Sequence, residues 1–418
     1  MKKPLFFHLL VSFTFGFIFT AQTAKAETEF IYGKVSTFLG ETYVGQIRWG
    51  NEEAFWTDRF NANKVYNDNI DFLSDREILQ LKKEKKSFKN QTHSSIDDSQ
   101  MQNDKSEYTF LHQFSCQFGE IKSIKMNRWQ KAELQLRDGS KVTVSGKGTN
   151  DMDTPIFIYD EKKGKIEIDW MEISKVEFLK EPSKFKSAIG KPLYGTVFTT
   201  EGNYSGVIEW DKDERVTSDE LDGEVKTGRF KTTFDKIKII KPHQAGSMVT
   251  MEDGEEVYVF GTNDVNFKNR GIVITNDEIG HINVDWSTLQ RVEFIPKKRA
   301  GKGYSQFQKP KEITGTVTTK EGKSLKGKIV FDLDEQFDFE VLNGGSGKMF
   351  FEIPFRNIKR IAPQSDRNCT VELRSKKQIQ LRDSQDVSFK NEGLLVFHQD
   401  SINPIYVSWR EVEEVVFN

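Results

Sequence analysis

Cysteine is nearly absent from this chain, with two among 418 residues, and that scarcity removes several architectures at once. Cys116 and Cys369 belong to no CxxC or Cys/His cluster, which excludes a disulfide-dense scaffold and a structural zinc site. A bridge between these two and a pair of buried thiols are the alternatives, and spacing alone decides neither. Histidine is scarce as well. Beyond the leader, the histidines at 93, 112, 243, 281 and 398 form no HExxH pair, and GxSxG, P-loop and dinucleotide motifs are all missing. No catalytic residue, metal site or cofactor is therefore expected. Neither sign of charge dominates, since 61 basic residues face 63 acidic ones for a net charge of −2. Such a balance suits neither DNA, RNA nor anionic lipid.

The one long apolar run extends from Leu5 to Phe19, follows Lys2 and Lys3, and ends in Thr23-Ala24-Lys25-Ala26. This reads as a secretory signal peptide over 1–26, cut between Ala26 and Glu27. The run is shorter than the ~20 residues a membrane span needs, and nothing later is apolar enough to serve as one. Loss of three lysines takes the net charge to about −5. The expected location is the bacterial periplasm or the cell surface, with no transmembrane segment after cleavage.

What the chain has in quantity is one pattern, three times. YGKVSTFLGETYVGQIRW from Tyr32, YGTVFTTEGNYSGVIEW from Tyr194 and TGTVTTKEGKSLKGKIVF from Thr314 share glycines, period-two alternation and an aromatic end. Each predicts a hairpin whose turn falls at Gly40, Gly202 or Gly322. A second recurring element, FGEIKSI, FDKIKII or FRNIKRI, predicts a turn into a closing strand. A third ends each copy: KIEIDWMEISKVEF, HINVDWSTLQRVEF and PIYVSWREVEEVVF, with Trp170, Trp286 and Trp409 on the apolar face and Asp169 and Asp285 opposite. The fold class expected is all-β: three tandem units over 27–180, 193–295 and 312–418, each of two small antiparallel barrel- or sandwich-like halves. The 36% hydrophobic content and 34 phenylalanines are ample for packed cores.

An insertion at about 68–105 interrupts the first unit. Its front, SDREILQLKKEKK, predicts a short helix capped by Ser74, and its back, NQTHSSIDDSQMQNDKS, has a disordered composition. The basic linkers KEPSKFKSAIGKP and PKKRAGKGYSQFQKP read as solvated connections.

The glycine-turned hairpin, bent middle strand and final Ile-x-x-Ile strand of GTVTTKEGKSLKGKIVF and FRNIKRI resemble the SH3-like and Sm-like small β-barrels. The resemblance implies topology only, for no Sm-type RNA-binding loop is present.

Candidate ligand contacts are few. GTND ends at Asp151 and again at Asp264, and RDSQDV places Asp386 at the same point of the third copy, so a carboxylate recurs in one loop. Such an acid either ligates a cation or ties down its own backbone. Acidic pairs Glu52-Glu53, Asp213-Glu214 and Asp334-Glu335 recur after the first aromatic strand. The stretch Asp211 to Gly223 lacks the glycine and terminal glutamate of an EF-hand. Trp56 has no counterpart in the other copies, and function is best sought where the copies differ. The function expected is a noncatalytic binding or structural module whose partner is an envelope protein or a polysaccharide. A glycoside hydrolase with a carboxylate pair is the enzymatic alternative.

Overall fold

A computed structural model describes residues 29–92, 113–127, 130–146, 151–182, 184–296, 301–398 and 401–418. The leader and most of the back half of the insertion lie outside them. Strands occupy 53% of the chain, and the large sheets are antiparallel throughout.

Among the described residues, thirty strands fall into three sets of ten. In the second set they run Tyr194–Thr199, Gly202–Glu209, Glu220–Val225, Gly228–Thr233, Ile237–His243, Gly246–Met251, Glu256–Phe260, Ile272–Asn276, Gly280–Val284 and Leu289–Phe294. Within each set the spatial order is 4-3-7-6-5-10-1-2-8-9. The two halves of a unit are thus not consecutive in the chain. Strands three to seven form one, while the first two strands join the last three in the other. The first and last strands are neighbours, as Val35 opposite Val176, Val197 opposite Val292 and Val317 opposite Val415 show.

Two kinds of glycine make this possible. Gly40, Gly202 and Gly322 have φ of 87°, 147° and 83°, which only a residue without Cβ adopts cheaply in a hairpin turn. Gly45, Gly206 and Gly327 have ordinary backbones, but a Cβ there would overlap the carbonyl oxygen of Tyr159, Thr275 or Phe397 on the eighth strand. They are absences of side chain that let two strands close.

Each unit contains two single 3-10 turns led by an aromatic ring: Phe118–Glu120 and Trp170–Glu172, Phe234–Lys236 and Trp286–Thr288, Phe355–Asn357 and Trp409–Glu411. In the tryptophan segments, where parity sets the ring on the apolar face, the turn separates two strands. Asp169 and Asp285 accept from the backbone N–H of Met171 and Ser287 at 2.8 Å, a local bond that competes with the sheet ladder. The rings turn inward, Trp49 meeting Trp170 at 5.8 Å, Trp210 meeting Trp286 at 5.9 Å and Phe331 meeting Trp409 at 5.5 Å. Burying each such ring is worth about 1.5–3 kcal/mol.

The second and third units share one apolar core, and their sheets fuse where Gly280–Val284 pairs with Met349–Pro354. The first unit has its own core, into which Phe307 of the second linker and Phe339 of the third unit reach. Contrary to the solvated reading, the linkers are anchored. Ile189 and Phe307 are buried, and Tyr304 stacks on Trp56 at 4.5 Å. The insertion opens with a helix over Asp75–Thr92, capped reciprocally by Ser74 and Glu77, whose Leu81 packs with Val330, Leu333 and Leu395 of the third unit. Cys116 and Cys369 are buried and unbridged. Among the described residues no helix is long and apolar enough to cross a membrane.

The close-approach role of the second glycine gives a sharp expectation. Gly206→Ala should lower unfolding stability by about 1–3 kcal/mol in urea titration, because the added methyl meets backbone that cannot rotate away. Gly139→Ala, where a Cβ meets nothing within 4 Å, carries only the strain of its φ of 96° and serves as the control.

Candidate functional site

The loop after the second strand is where the units meet. Its backbone reverses sharply and leaves two N–H groups pointing inward, and in each unit one carboxylate oxygen accepts both. Asp58 Oδ2 takes Ala54 and Phe55 N–H at 2.7 and 2.8 Å, Asp219 Oδ2 takes Arg215 and Val216 at 2.7 and 2.9 Å, and Glu340 Oε2 takes Gln336 and Phe337 at 2.7 and 2.9 Å. The carboxylate then bonds a cation from a neighbouring unit. Arg215 donates to Asp58 Oδ1, Arg48 grips Asp219 with both terminal nitrogens at 2.6 and 2.9 Å, and Lys64 reaches Glu340 Oε1 at 2.6 Å.

Around this junction the charges are buried. Arg215 also faces Glu209 at 3.5 Å, and Arg59 lies 3.6 Å from Glu352, which is 3.7 Å from His281 Nδ1. Burial, reinforced by Arg59 and Arg215, holds His281 well below its ordinary pKa. Its Nε2 lies 3.3 Å from Thr57 O.

The recurring aspartates of the later loop do a second backbone task. Asp151, Asp264 and Asp386 are 1%, 4% and 5% exposed, and each accepts the backbone N–H of a third-strand residue, Asn61, Asp222 (2.9 Å) or Asn343 (2.6 Å). Their own carbonyls serve too, Asp151 O accepting from Trp49 Nε1 at 2.7 Å and Asp264 O from Trp210 Nε1 at 2.9 Å. Beside each sits the glutamate of the acidic pair. Burial pushes Glu214 up to about 9 and Asp264 up to about 6. Glu53, Asp151, Glu335 and Asp386 rise for the same reason, and Asp151 and Asp386 add their repulsion to Glu53 and Glu335. In each pair burial and mutual repulsion favour the protonated form of the glutamic acid, beside an aspartate that accepts a backbone N–H. In the first unit Glu52, Glu53 and Asp151 converge within 4.8 Å, and they are the described residues best placed to hold a cation.

Trp56 is fully buried between Tyr304 and Phe178, where it wedges the second linker onto the first unit. The structure brings Trp56 to the junction and leaves Asp151, Asp264 and Asp386 in three separate units.

The copies also differ at a surface that sequence reasoning passed over. The first hairpin tip of unit one carries Phe38, 53% exposed, and Leu39, 89% exposed, next to Met171, 61% exposed. They are held together because Phe38 N–H bonds Glu172 O at 2.9 Å, as Thr200 bonds Thr288 and Lys320 bonds Glu411 in the other units. There the same three positions are polar: Thr200, Glu201 and Ser287, then Lys320, Glu321 and Arg410. Phe38 and Met171 border a groove of about 310 Å³ lined further by Met126, Trp170 and Ile173 and, on its polar side, by Asn127, Gln130 and Lys131. In the second unit the corresponding surface is an interface, for Glu201 accepts Lys348 N–H at 3.0 Å and Ser287 Oγ lies 2.9 Å from Lys348 Nζ. The available signal was the aligned tips FLG, TEG and KEG.

Against known proteins the chain has no match among family models, curated sequences or solved structures.

Two expectations follow from the junction and the acid pairs. Arg215→Ala strands Asp58 in a buried site, and its cost should be about 3–5 kcal/mol by chemical denaturation. The raised acids hold protons in the folded state that the unfolded chain releases, so their contribution is full below the ordinary carboxylate range and is lost as pH climbs through about 6 and about 9. The melting temperature should therefore fall from about pH 6 to about pH 9, and Glu214→Gln should shrink that fall.

Proposed function

We propose that the protein is an exported, noncatalytic binding or structural module of the bacterial periplasm or cell envelope, and that it holds another protein on the outer face of its first unit. The observation that carries this reading is the trio Phe38, Leu39 and Met171. Three large apolar side chains at 53%, 89% and 61% exposure, two of them bordering a groove and all replaced by polar residues in both sister units, mark a place where water is meant to be displaced. The counterpart in the second unit already receives protein, in the form of the third unit's hairpin.

A polypeptide fits this face better than a polysaccharide. Sugar recognition favours an aromatic platform with polar groups beside it, whereas the described tryptophans at 49, 56, 170, 210 and 409 are buried, Trp286 is half-buried, and the one exposed ring of the trio, Phe38, is flanked by the aliphatic Leu39 and by Met171. An acid pair recurs in all three units, and its aspartate (Asp151, Asp264 or Asp386) spends an oxygen on a backbone N–H, which argues for architecture over glycoside hydrolysis. The likeness of the halves to SH3-like barrels belongs to the same reading, since such small sheets serve as supports for loops and edges. Export rests on the leader.

A photo-crosslinking amino acid placed at Leu39 in living cells tests this. A discrete protein adduct is expected there, and its loss on Met171→Glu would tie it to the trio. Absence of any protein adduct at Leu39, with efficient crosslinking at a control site, would overturn the reading.

A further inference from the structure

The seam between the second and third units is built from four parts. Strand Gly280–Val284 takes Met349–Glu352 as an antiparallel neighbour, with Ile282 opposite Phe351 and His281 opposite Glu352. Tyr204 meets Phe351 at 6.2 Å, and the turn before Met349 settles on Glu201 and Ser287. Main-chain pairing supplies the attachment and alternate side chains supply the register.

Both halves of that seam recur elsewhere in the chain, unused. Strand Gly164–Ile168 is the first unit's copy of Gly280–Val284, and Gly228–Thr233 is the second unit's copy of Met349–Pro354. Each has one strand neighbour among the described residues, and each is mostly exposed on its outer side. Within one chain they do not pair with each other. The other candidate edges are less open: Gln113–Gln117 is largely buried, and Ile405–Val407 is three residues long with Tyr406 packed beside the helix cluster.

We propose that a second copy of this chain closes the open seam, the edge Gly228–Thr233 of one molecule adding to the edge Gly164–Ile168 of the next. This names the protein partner of the apolar face and rests on that reading. Transposing the internal register puts Ile166 opposite Phe230, apolar to apolar, and Glu167 opposite Arg229, acid to base. Tyr43, at the place of Tyr204, comes to Phe230 as Tyr204 does to Phe351. Lys165 falls opposite Lys231, and that like-charge pair is moderated because Lys231 already bonds Glu220 at 2.6 Å. The hairpin turn before Gly228 then lies over Leu39 and Met171, at the positions of Glu201 and Ser287. Two different edges meet, so the contact is heterologous and builds rings or open chains of molecules.

Sedimentation velocity of the purified protein, up to roughly 100 μM, tests the proposal. Concentration-dependent species larger than the monomer are expected. Glu167→Arg and Arg229→Glu, both at exposed positions, should each weaken association at least about tenfold, and the double exchange should restore it. A monomer at every concentration, or association indifferent to the charge exchange, would overturn it. A monomer that still gives a heterologous adduct at Leu39 in cells would sink self-association and leave the binding reading standing. A monomer without any adduct would sink both.

Discussion

The arrangement of the three units depends on a carboxylate with two obligations. Asp58, Asp219 and Glu340 each hold a pair of backbone N–H groups with one oxygen and bond a neighbour's Arg or Lys through the other, Asp219 sharing its first oxygen with Arg48 as well. Because the same group stabilises the loop and addresses the neighbour, loop conformation and unit docking cannot vary independently. An ion pair buried this deeply adds little net stability over an apolar contact, but removal of either partner is costly. It fixes one arrangement among many that burial alone would tolerate. The apolar contacts of Ile189, Phe307 and Tyr304 then act on units whose mutual placement is already specified.

Much of the fold was legible in the residues. Period-two alternation located the strands, and Gly40, Gly202 and Gly322 marked turns whose φ angles are positive. The order of strands was not legible, because alternation reports which face a residue takes and says nothing about which strand lies beside it. Val197 opposite Val292 is a long-range fact with no local trace. Trp170 and Trp286 illustrate a different failure. Parity placed them on the correct inner side, yet each leads a 3-10 turn that alternation does not encode; the Asx bond of Asp169 or Asp285 supports that turn, while Trp409 turns after Ser408 without a side-chain cap.

The candidate site was less legible than the fold. Asp151, Asp264 and Asp386 were visible as a recurrence, but whether an acid faces a ligand or a backbone N–H is decided by three-dimensional contact. Trp56 stood out by its singularity, and that singularity turned out to accompany a linker contact with Tyr304. Phe38, Leu39 and Met171 escaped notice for the opposite reason. Each is unremarkable alone, and only a hydrogen bond between a hairpin tip and a 3-10 turn more than a hundred residues away gathers them. Arg48, Lys64 and Arg215 were equally hidden, since an isolated basic residue on a strand or loop carries no sign of the acid it will meet.

The neighbourhood of first and last strands has a consequence for how such a chain grows. Since Gly195 lies opposite Phe294 and Gly315 opposite Phe417, a unit's two ends leave the sheet side by side. A gene segment encoding all ten strands can therefore be duplicated, or excised, without threading the chain through an existing sheet. The copy arrives with its own closing strand and its own turn carboxylate, and needs only one new basic residue next door to be held in place. The three cations sit at non-equivalent positions, Arg48 and Lys64 in the first unit and Arg215 in the second, as stepwise accretion would leave them.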